Sequence, residues 1–367
     1  MRVDRLWLRD FRCYEEVALE LGPGCTVVRG ANGQGKTSLL EAVGWLATAR
    51  SFRGVPDAVL VRSGTDEAIV RAELHPTPER DVLVEVAIRA VGRNKVLINK
   101  QSSNRRRDLV EHLRVTVFAP DDLELVKGPP TQRRTYLDDL LEASAHRFAG
   151  VRTELERVLR QRNALLKARV RSAEDRTTLE VLDDRLVAVA TELIRGRLDL
   201  ARRLVPHVEH AYASLAGDAP GFHATYAAGW TDDAVEDATV EEQLRAAIGA
   251  LRTREQERGV TLVGPHRDDW RLELHHLDAR HHASQGEQRT LALALRLGGH
   301  HLVSEVVGAE PVLLLDDVFS ELDATRAAAL VRNLPRAQTL LTTAGLVPEG
   351  VVAEAWWRVD GATVTVG

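Results

Sequence analysis

Lysine is almost absent from this sequence. Five lysines stand against 44 arginines, so a lysine found inside a motif carries more information than usual. Only two cysteines occur, Cys13 and Cys25, and no Cys/His spacing of a metal site. A disulfide framework and a zinc module are both excluded, which suits a reducing compartment. Aromatic residues make up 4%, and no basic stretch is interleaved with them, which speaks against stacking of single-stranded bases. No run approaches the ~20 apolar residues of a bilayer span. The opening "MRVDRLWLRDFRCYEE" is charged throughout and lacks an apolar leader core. The net charge is -5 at pH 7, which argues against a globally basic surface but not against a local basic patch. The expectation is a soluble cytoplasmic protein.

What is present is enough apolar residue, 44% of 367, for one large domain or two ordinary ones. The N-terminal part reads as strands with turns: "RVDRLWLRDF", the Gly22-Pro23-Gly24 turn and "CTVVRG", then a helix over 37–49 and the strand-like runs "AIVRAELH", "DVLVEVAIRA" and "KVLINKQ". The middle, from 138 to 216, is poor in Pro and Gly. There Leu179, Leu182, Leu186, Val189 and Leu193 recur at alternating spacings of three and four, the pattern of an apolar helix stripe. A polar break at 172–178 divides it into a helical hairpin with helices of about 25 to 35 residues, on the order of 40–50 Å each. A further helix is expected over 240–258. The last hundred residues return to strand and helix: "GVTLVGPH", "RLELHHL", a helix over 286–307, the buried strand "PVLLLDD", a helix over 324–334, the strand "AQTLLTT" and a closing hairpin "WWRVDGATVTVG". The two ends are expected to form one discontinuous α/β domain, 1–118 with 259–367, and 119–258 an inserted helical lobe.

Three stretches carry chemistry. "GANGQGKT", from Gly30 through Ala31, Asn32, Gly33, Gln34, Gly35 and Lys36 to Thr37, fits G-x-x-x-x-G-K-[ST] after an apolar strand and before a helix. Glycines let the backbone wrap a phosphate with its amides inward, Lys36 reaches the β- and γ-phosphates, and the Thr37 hydroxyl ligates Mg²⁺. "VLLLDDVFSELD" places two carboxylates at the C-terminal end of a buried strand, where α/β sheets bind ligands. Asp316 is the expected Mg²⁺ partner, and Asp317 the group that orients and deprotonates an attacking water. "SQGEQRTLALAL" opens a helix with Ser284 and Glu287 at the spacing of a capping box.

The order of these stretches resembles the ABC-type ATPases. "LRDFRCY", "SFRG", "APDDLELVKGPPTQRRTYLDDLL", "QRNALLK" and "GPHRDD" narrow the resemblance to the RecF family of DNA-repair ATPases. The resemblance implies an ABC-type ATPase head (a P-loop sheet with helices and antiparallel N-terminal strands) carrying a helical lobe. It implies ATP and Mg²⁺ as ligands, and an ATP-bridged homodimer in which Ser284, Gly286 and Gln288 of one copy meet the nucleotide of the other. The stretch "SELD" would cross that interface. Slow ATP hydrolysis, sequence-independent DNA binding near single-strand gaps, action with RecR and RecO to place RecA, and a part in the SOS response are implied as well. Two positions depart from many ABC enzymes: Asp317 stands where a Glu is common, and Thr343 where a His is common.

DNA contact is expected from local arginines: Arg105, Arg106 and Arg107 before a helix, and the segment 152–171 with Arg160, Arg162 and Lys167. Arg133 and Arg134, in the family stretch, are expected to brace the junction between lobes. A chromosome tether of the SMC kind needs far longer helical arms. A transporter ATPase is disfavoured by the repair-type stretches, and a nuclease by the lack of a further acidic cluster.

Overall fold

A computed structural model gives the fold, describing residues 1–103, 106–168, 170, 172–217, 221–232 and 234–367. The chain forms two compact units. Met1–Asp122, His210–Asp218 and Leu293–Gly367 make the first; Leu123–Glu209 and Ala219–Ala292 make the second. The expected boundary near 118 lies close to this division. The expected return at 259 does not, because β10 (Asp269–Leu274) pairs antiparallel with β9 (His223–Ala227) and β11 (Leu277–Asp278). That sheet keeps 259–292 with the second unit.

The first unit contains two sheets. One is antiparallel, in the order β2 (Tyr14–Glu20), β1 (Arg2–Phe11), β4 (Glu67–Thr77), β5 (Arg80–Arg89), β6 (Lys95–Ile98), β7 (Gln101–Ser103). Its long strands alternate buried and exposed residues, as expected when one face is covered. The other runs β15 (Thr363–Val366), β14 (Ala353–Asp360), β3 (Cys25–Arg29), β13 (Thr339–Thr343), β12 (Val312–Asp316), β8 (Val115–Phe118). All its pairs are parallel except β14 with β15. Every residue of β12 and β13 is buried, which explains why both read as continuous apolar runs rather than alternating ones. Helix α1 (Lys36–Thr48) buries eleven of its thirteen residues. Its Leu39, Leu40, Val43 and Leu46 share one core with Leu6, Val70 and Val86 of the antiparallel sheet and Leu314, Leu340 and Trp357 of the parallel one. Each such side chain contributes roughly 2 kcal/mol on burial, so the helix that follows the P-loop is firmly seated. Helices α2 (Arg106–Val110) and α10 (Ala324–Asn333) also belong to this unit.

The second unit holds α3 (Glu124–Lys127), α4 (Pro130–Ser144), α5 (Arg147–Ala168), most of α6 (Ala173–Ala216), α7 (Val240–Arg258) and α8 (Ala279–His282). Helix α9 (Gln285–Val307) begins in this unit and ends in the first. The hairpin is there, but α6 has 44 residues, about 66 Å, longer than expected. Leu179, Leu182, Leu186 and Leu193 of its stripe are buried. "GVTLVGPH" is not a strand. The Thr261 amide donates to Asn163 Oδ1 at 2.7 Å and the Leu262 amide to Glu255 Oε1 at 2.6 Å, so side chains take the bonds that a sheet neighbour would have supplied. Among the described residues no helix is long and apolar enough to cross a membrane.

The arginine expectations change here. Arg162 is fully buried. It binds Asp183 at 2.8 Å, Glu255 at 2.6 Å and Thr261 Oγ1 at 3.0 Å, so it joins α5, α6 and α7 and cannot meet DNA. Arg133 pairs with Asp269 through two bonds of 2.8 and 3.0 Å and donates to the Gly128 carbonyl. It therefore braces the second unit internally rather than the junction. Arg152 pairs with Asp139 and Glu142, and Arg157 with Glu154. Arg160 and Lys167 remain exposed. Arg105 lies outside the described residues, as do the side chains of Arg106 and Arg107.

Arg162→Ala should lower stability by about 3–5 kcal/mol, since Asp183 and Glu255 would lose a buried countercharge; denaturant unfolding measures it. A second expectation concerns Asp268, whose carboxylate accepts from Tyr226 Oη at 2.5 Å and Trp230 Nε1 at 2.8 Å. Burial pushes its carboxyl up to about 6, against the lowering pull of Tyr226 and Arg197. The folded state thus binds this proton more tightly than the unfolded chain. Its stabilisation is full below about pH 4 and lost as pH rises through 6. The stability advantage of wild type over Asp268→Asn should therefore widen from pH 7 to pH 4, by on the order of 3 kcal/mol. Unfolding curves across that range would show it.

Candidate nucleotide site

The C-terminal ends of β3, β12 and β13 lie side by side through parallel pairing, and each ends in a polar segment. β3 runs into Gly30–Gly35 and then α1. Gly35 adopts φ 112, and a Cβ there would fall 2.6 Å from Cys13 Sγ. At Gly30 a Cβ would lie 2.3 Å from the Val359 carbonyl oxygen. Only glycine lets this loop turn so tightly against its neighbours.

Lys36 is buried and donates to the carbonyls of Gly30 and Ala31 at 2.8 and 2.9 Å. Its ammonium thus closes the loop on itself. Burial lowers its pKa, opposed by Asp317 and Asp316. Thr37 Oγ1 donates to Asp316 Oδ1 at 2.8 Å, and Thr342 Oγ1 donates to the same atom at 2.8 Å. Burial raises the Asp316 pKa; the two hydroxyls oppose this, and the like charge of Asp317 adds to it. Asp317 has φ 48, a left-handed conformation that costs free energy in a non-glycine residue. Its amide is held by the Thr342 carbonyl at 3.2 Å and hydroxyl at 3.0 Å. Thr343, at the position where a His is common, is buried, and its Oγ1 accepts from the Gly345 amide at 3.0 Å. Thr342, not Thr343, faces the cavity.

That cavity measures about 590 Å³. Asn32, Gly33, Gly35, Lys36, Thr37, Asp316, Asp317 and Thr342 line it, together with Arg12, Cys13, Arg53, Val59 and Ser63. Arg12 and Arg53 belong to the stretches "LRDFRCY" and "SFRG", which were legible as family stretches but not as site walls. Arg12 is clamped by two 2.7 Å bonds to the buried Glu41 of α1. Gln34 does not line the cavity. Its Oε1 accepts from the Gly361 amide at 2.6 Å, fixing the P-loop to the turn between β14 and β15. Arg29 adds a cation–π contact, 4.0 Å above Trp356 of β14.

Ser284, Gly286 and Gln288 lie in the second unit. The capping box is formed: the Ser284 amide donates to Glu287 Oε2 at 2.7 Å, and the Glu287 amide to Ser284 Oγ at 3.3 Å. Glu287 is also paired with His275 at 3.3 Å, and its pKa is lowered chiefly by the Ser284 hydrogen bonds. Ser284 is exposed. Gln288 is buried, and its amide donates to the Ala279 and Arg280 carbonyls at 3.1 Å each. Its side chain is directed at the preceding turn, which it holds in place, rather than outward.

The RecF/RecN/SMC N-terminal domain model matches residues 2–344. The chain is 43% identical to the DNA replication and repair protein RecF of Streptomyces avermitilis over 99% of both chains, and 43% identical to that of Acidothermus cellulolyticus over 94% of each. The chain belongs to the RecF family. A solved structure of the recombination mediator protein RecF-ATP in the RecFOR pathway, 26% identical, matches with a TM-score of 0.90 over 99% of this chain and 97% of its own. The Smc head domain of Pyrococcus furiosus, 16% identical, matches at 0.57 over 100% of this chain and 95% of its own, a likeness of fold alone.

In this RecF-family protein the β14–β15 hairpin reaches beyond the matched 2–344 and yet holds the P-loop through Gln34. Gln34→Ala should weaken ATP binding about three- to tenfold, the worth of one neutral hydrogen bond, with little change in melting temperature. A fluorescent-nucleotide titration beside a thermal melt checks both.

Proposed function

We propose that this protein is an ATP-dependent DNA-binding switch of DNA repair, working as a homodimer with nucleotide held between copies. The observation that carries this is the Thr37–Asp316–Thr342 hydrogen-bonded cluster at the mouth of a glycine-built P-loop. The residues suit ATP and Mg²⁺. The loop amides and Lys36 fit the phosphates, and the Thr37 hydroxyl beside the Asp316 carboxylate offers the oxygen donors a hard cation takes along with water and phosphate. Bound there, Mg²⁺ would neutralise phosphate charge. Asp317, next in the chain and lining the same cavity, is placed to accept the proton of an attacking water at its carboxylate. Its short arm fits slow turnover, and a slow clock suits a switch. RecF named as a replication and repair protein, and the RecF-ATP likeness, support the reading. Action with RecR and RecO at single-strand gaps, and through them on RecA, is part of the proposal.

The second copy enters this reading through the tip of α9, where Ser284 is exposed. A hydroxyl has one hydrogen to donate and two lone pairs. Ser284 Oγ accepts the Glu287 amide with a lone pair, and its O–H bonds the Glu287 carboxylate, so the hydroxyl meets a phosphate oxygen by turning away from that carboxylate while the lone pair keeps the helix capped. The Gln285 and Gly286 amides lie in the first turn and lack intrahelical partners, and the helix dipole favours an anion there.

Ser284→Arg should bind ATP as wild type does but remain monomeric with ATP and Mg²⁺ in sedimentation velocity. Lys36→Ala should lose ATP binding itself. An ATP-dependent dimer of Ser284→Arg would overturn the two-copy site, while tight ATP binding by Lys36→Ala would overturn the P-loop assignment.

A further inference from the structure

Beneath one surface of the second unit lies the buried Arg162, which joins α5 to Glu255 of α7 and to Thr261. The Asn163 side chain holds the Thr261 amide and hydroxyl at 2.7 and 2.8 Å. A Cβ at Gly259, which follows Arg258, would lie 3.3 Å from Lys167 Cγ. Arg267 donates to the Thr261 carbonyl at 3.2 Å. The end of α5, the end of α7 and the loop 261–267 are thereby drawn together. Around this junction Arg160, Lys167, Arg254, Arg258 and Arg267 are exposed; the exposed carboxylates nearest them in sequence are Glu257 in α7's last turn and Glu156 on α5, the latter 3.8 Å from Arg152.

We propose that this five-cation patch is the surface on which the protein grips the phosphate backbone of DNA. The proposal rests on the DNA-binding reading above and assigns its location. Three observations favour a nucleic-acid backbone over an acidic protein. No exposed large hydrophobic residue falls on α5, on α7 or in 261–267 among the described residues, whereas protein interfaces centre on buried apolar or aromatic anchors. No aromatic side chain interrupts the five cations, so bases have nothing to stack on and contact stays with phosphates. Arg160 and Lys167 are both exposed on α5 and stand seven residues apart, about 10 Å along the axis, the span of roughly three phosphates of one strand. The cations come from three separate segments held on a buried ion pair, so they are presented as a fixed array rather than as a flexible basic tail.

The test is DNA binding by the full-length protein with ATP and Mg²⁺ across a salt series, using a gapped duplex. Lys167→Gln with Arg258→Gln removes two cations from exposed positions. At about 0.9 log unit per contact per decade of salt, the slope of log affinity against log salt should fall by about 1.8. Affinity at about 0.15 M salt should fall roughly 30-fold, with ATP binding and the ATP-dependent dimer unchanged. The independent pair Arg254→Gln with Arg267→Gln should do the same. Wild-type affinity and slope in both pairs would overturn the assignment and leave the patch to an acidic protein partner. A wild-type protein that fails to bind DNA at all would instead overturn the parent reading.

Discussion

One oxygen organises the first unit. Asp316 Oδ1 receives hydroxyls from Thr37 on α1 and Thr342 on β13, and so joins three elements that are remote in sequence. Such bonds to a charged acceptor are stronger than neutral ones, about 1.5–3 kcal/mol each. They also offset the cost of putting a carboxylate at the end of an otherwise apolar strand. Without them the end of β12 would be a liability. With them, α1 is held to the sheet at the one point where the P-loop must keep its geometry. Thr342 then uses its oxygen a second time, accepting the Asp317 amide at 3.0 Å and so holding that residue in its strained left-handed conformation.

The second unit solves a related problem with cations. Arg162, Arg197 and Arg133 are each buried and bound to carboxylates: Asp183 with Glu255, Asp138, and Asp269. A guanidinium can satisfy two partners in one plane, where an ammonium offers only a point charge. Part of the chain's arginine excess over lysine is therefore architectural. Sequence segments that look like basic, solvent-facing helix divide, once folded, into arginines that hold helices together and arginines that face solvent.

That division marks where the sequence was legible. The P-loop, the acidic strand end and the capping box were readable because each is a local pattern whose chemistry depends on adjacent residues. The helix over 240–258 was readable for the same reason. Arg162 was not, because its fate depends on Asp183 and Glu255, and no local spacing encodes them. "GVTLVGPH" carries strand-like residues, yet Asn163 and Glu255 capture its amides from a distance. The second boundary of the lobe was missed because β9 and β10 are short and their pairing joins segments some forty residues apart. Arg12 and Arg53 lay in stretches with family character but reach the cavity only through tertiary packing.

The net charge of -5 does not weigh against a DNA-binding surface on such a protein. At physiological ionic strength the field of an exposed charge is screened over about 8 Å. A phosphate arriving at Lys167 or Arg258 feels the cations within that distance far more than the average of the chain. Clustering, not the total, sets the local potential. In this fold the clustering comes from Arg162, whose burial aligns the ends of α5 and α7 and removes two acidic side chains, Asp183 and Glu255, from solvent. Burying those carboxylates leaves the neighbouring exposed arginines less opposed than the sequence alone would suggest. The same ion pair that gives the lobe its stability thereby shapes the sign of the surface above it.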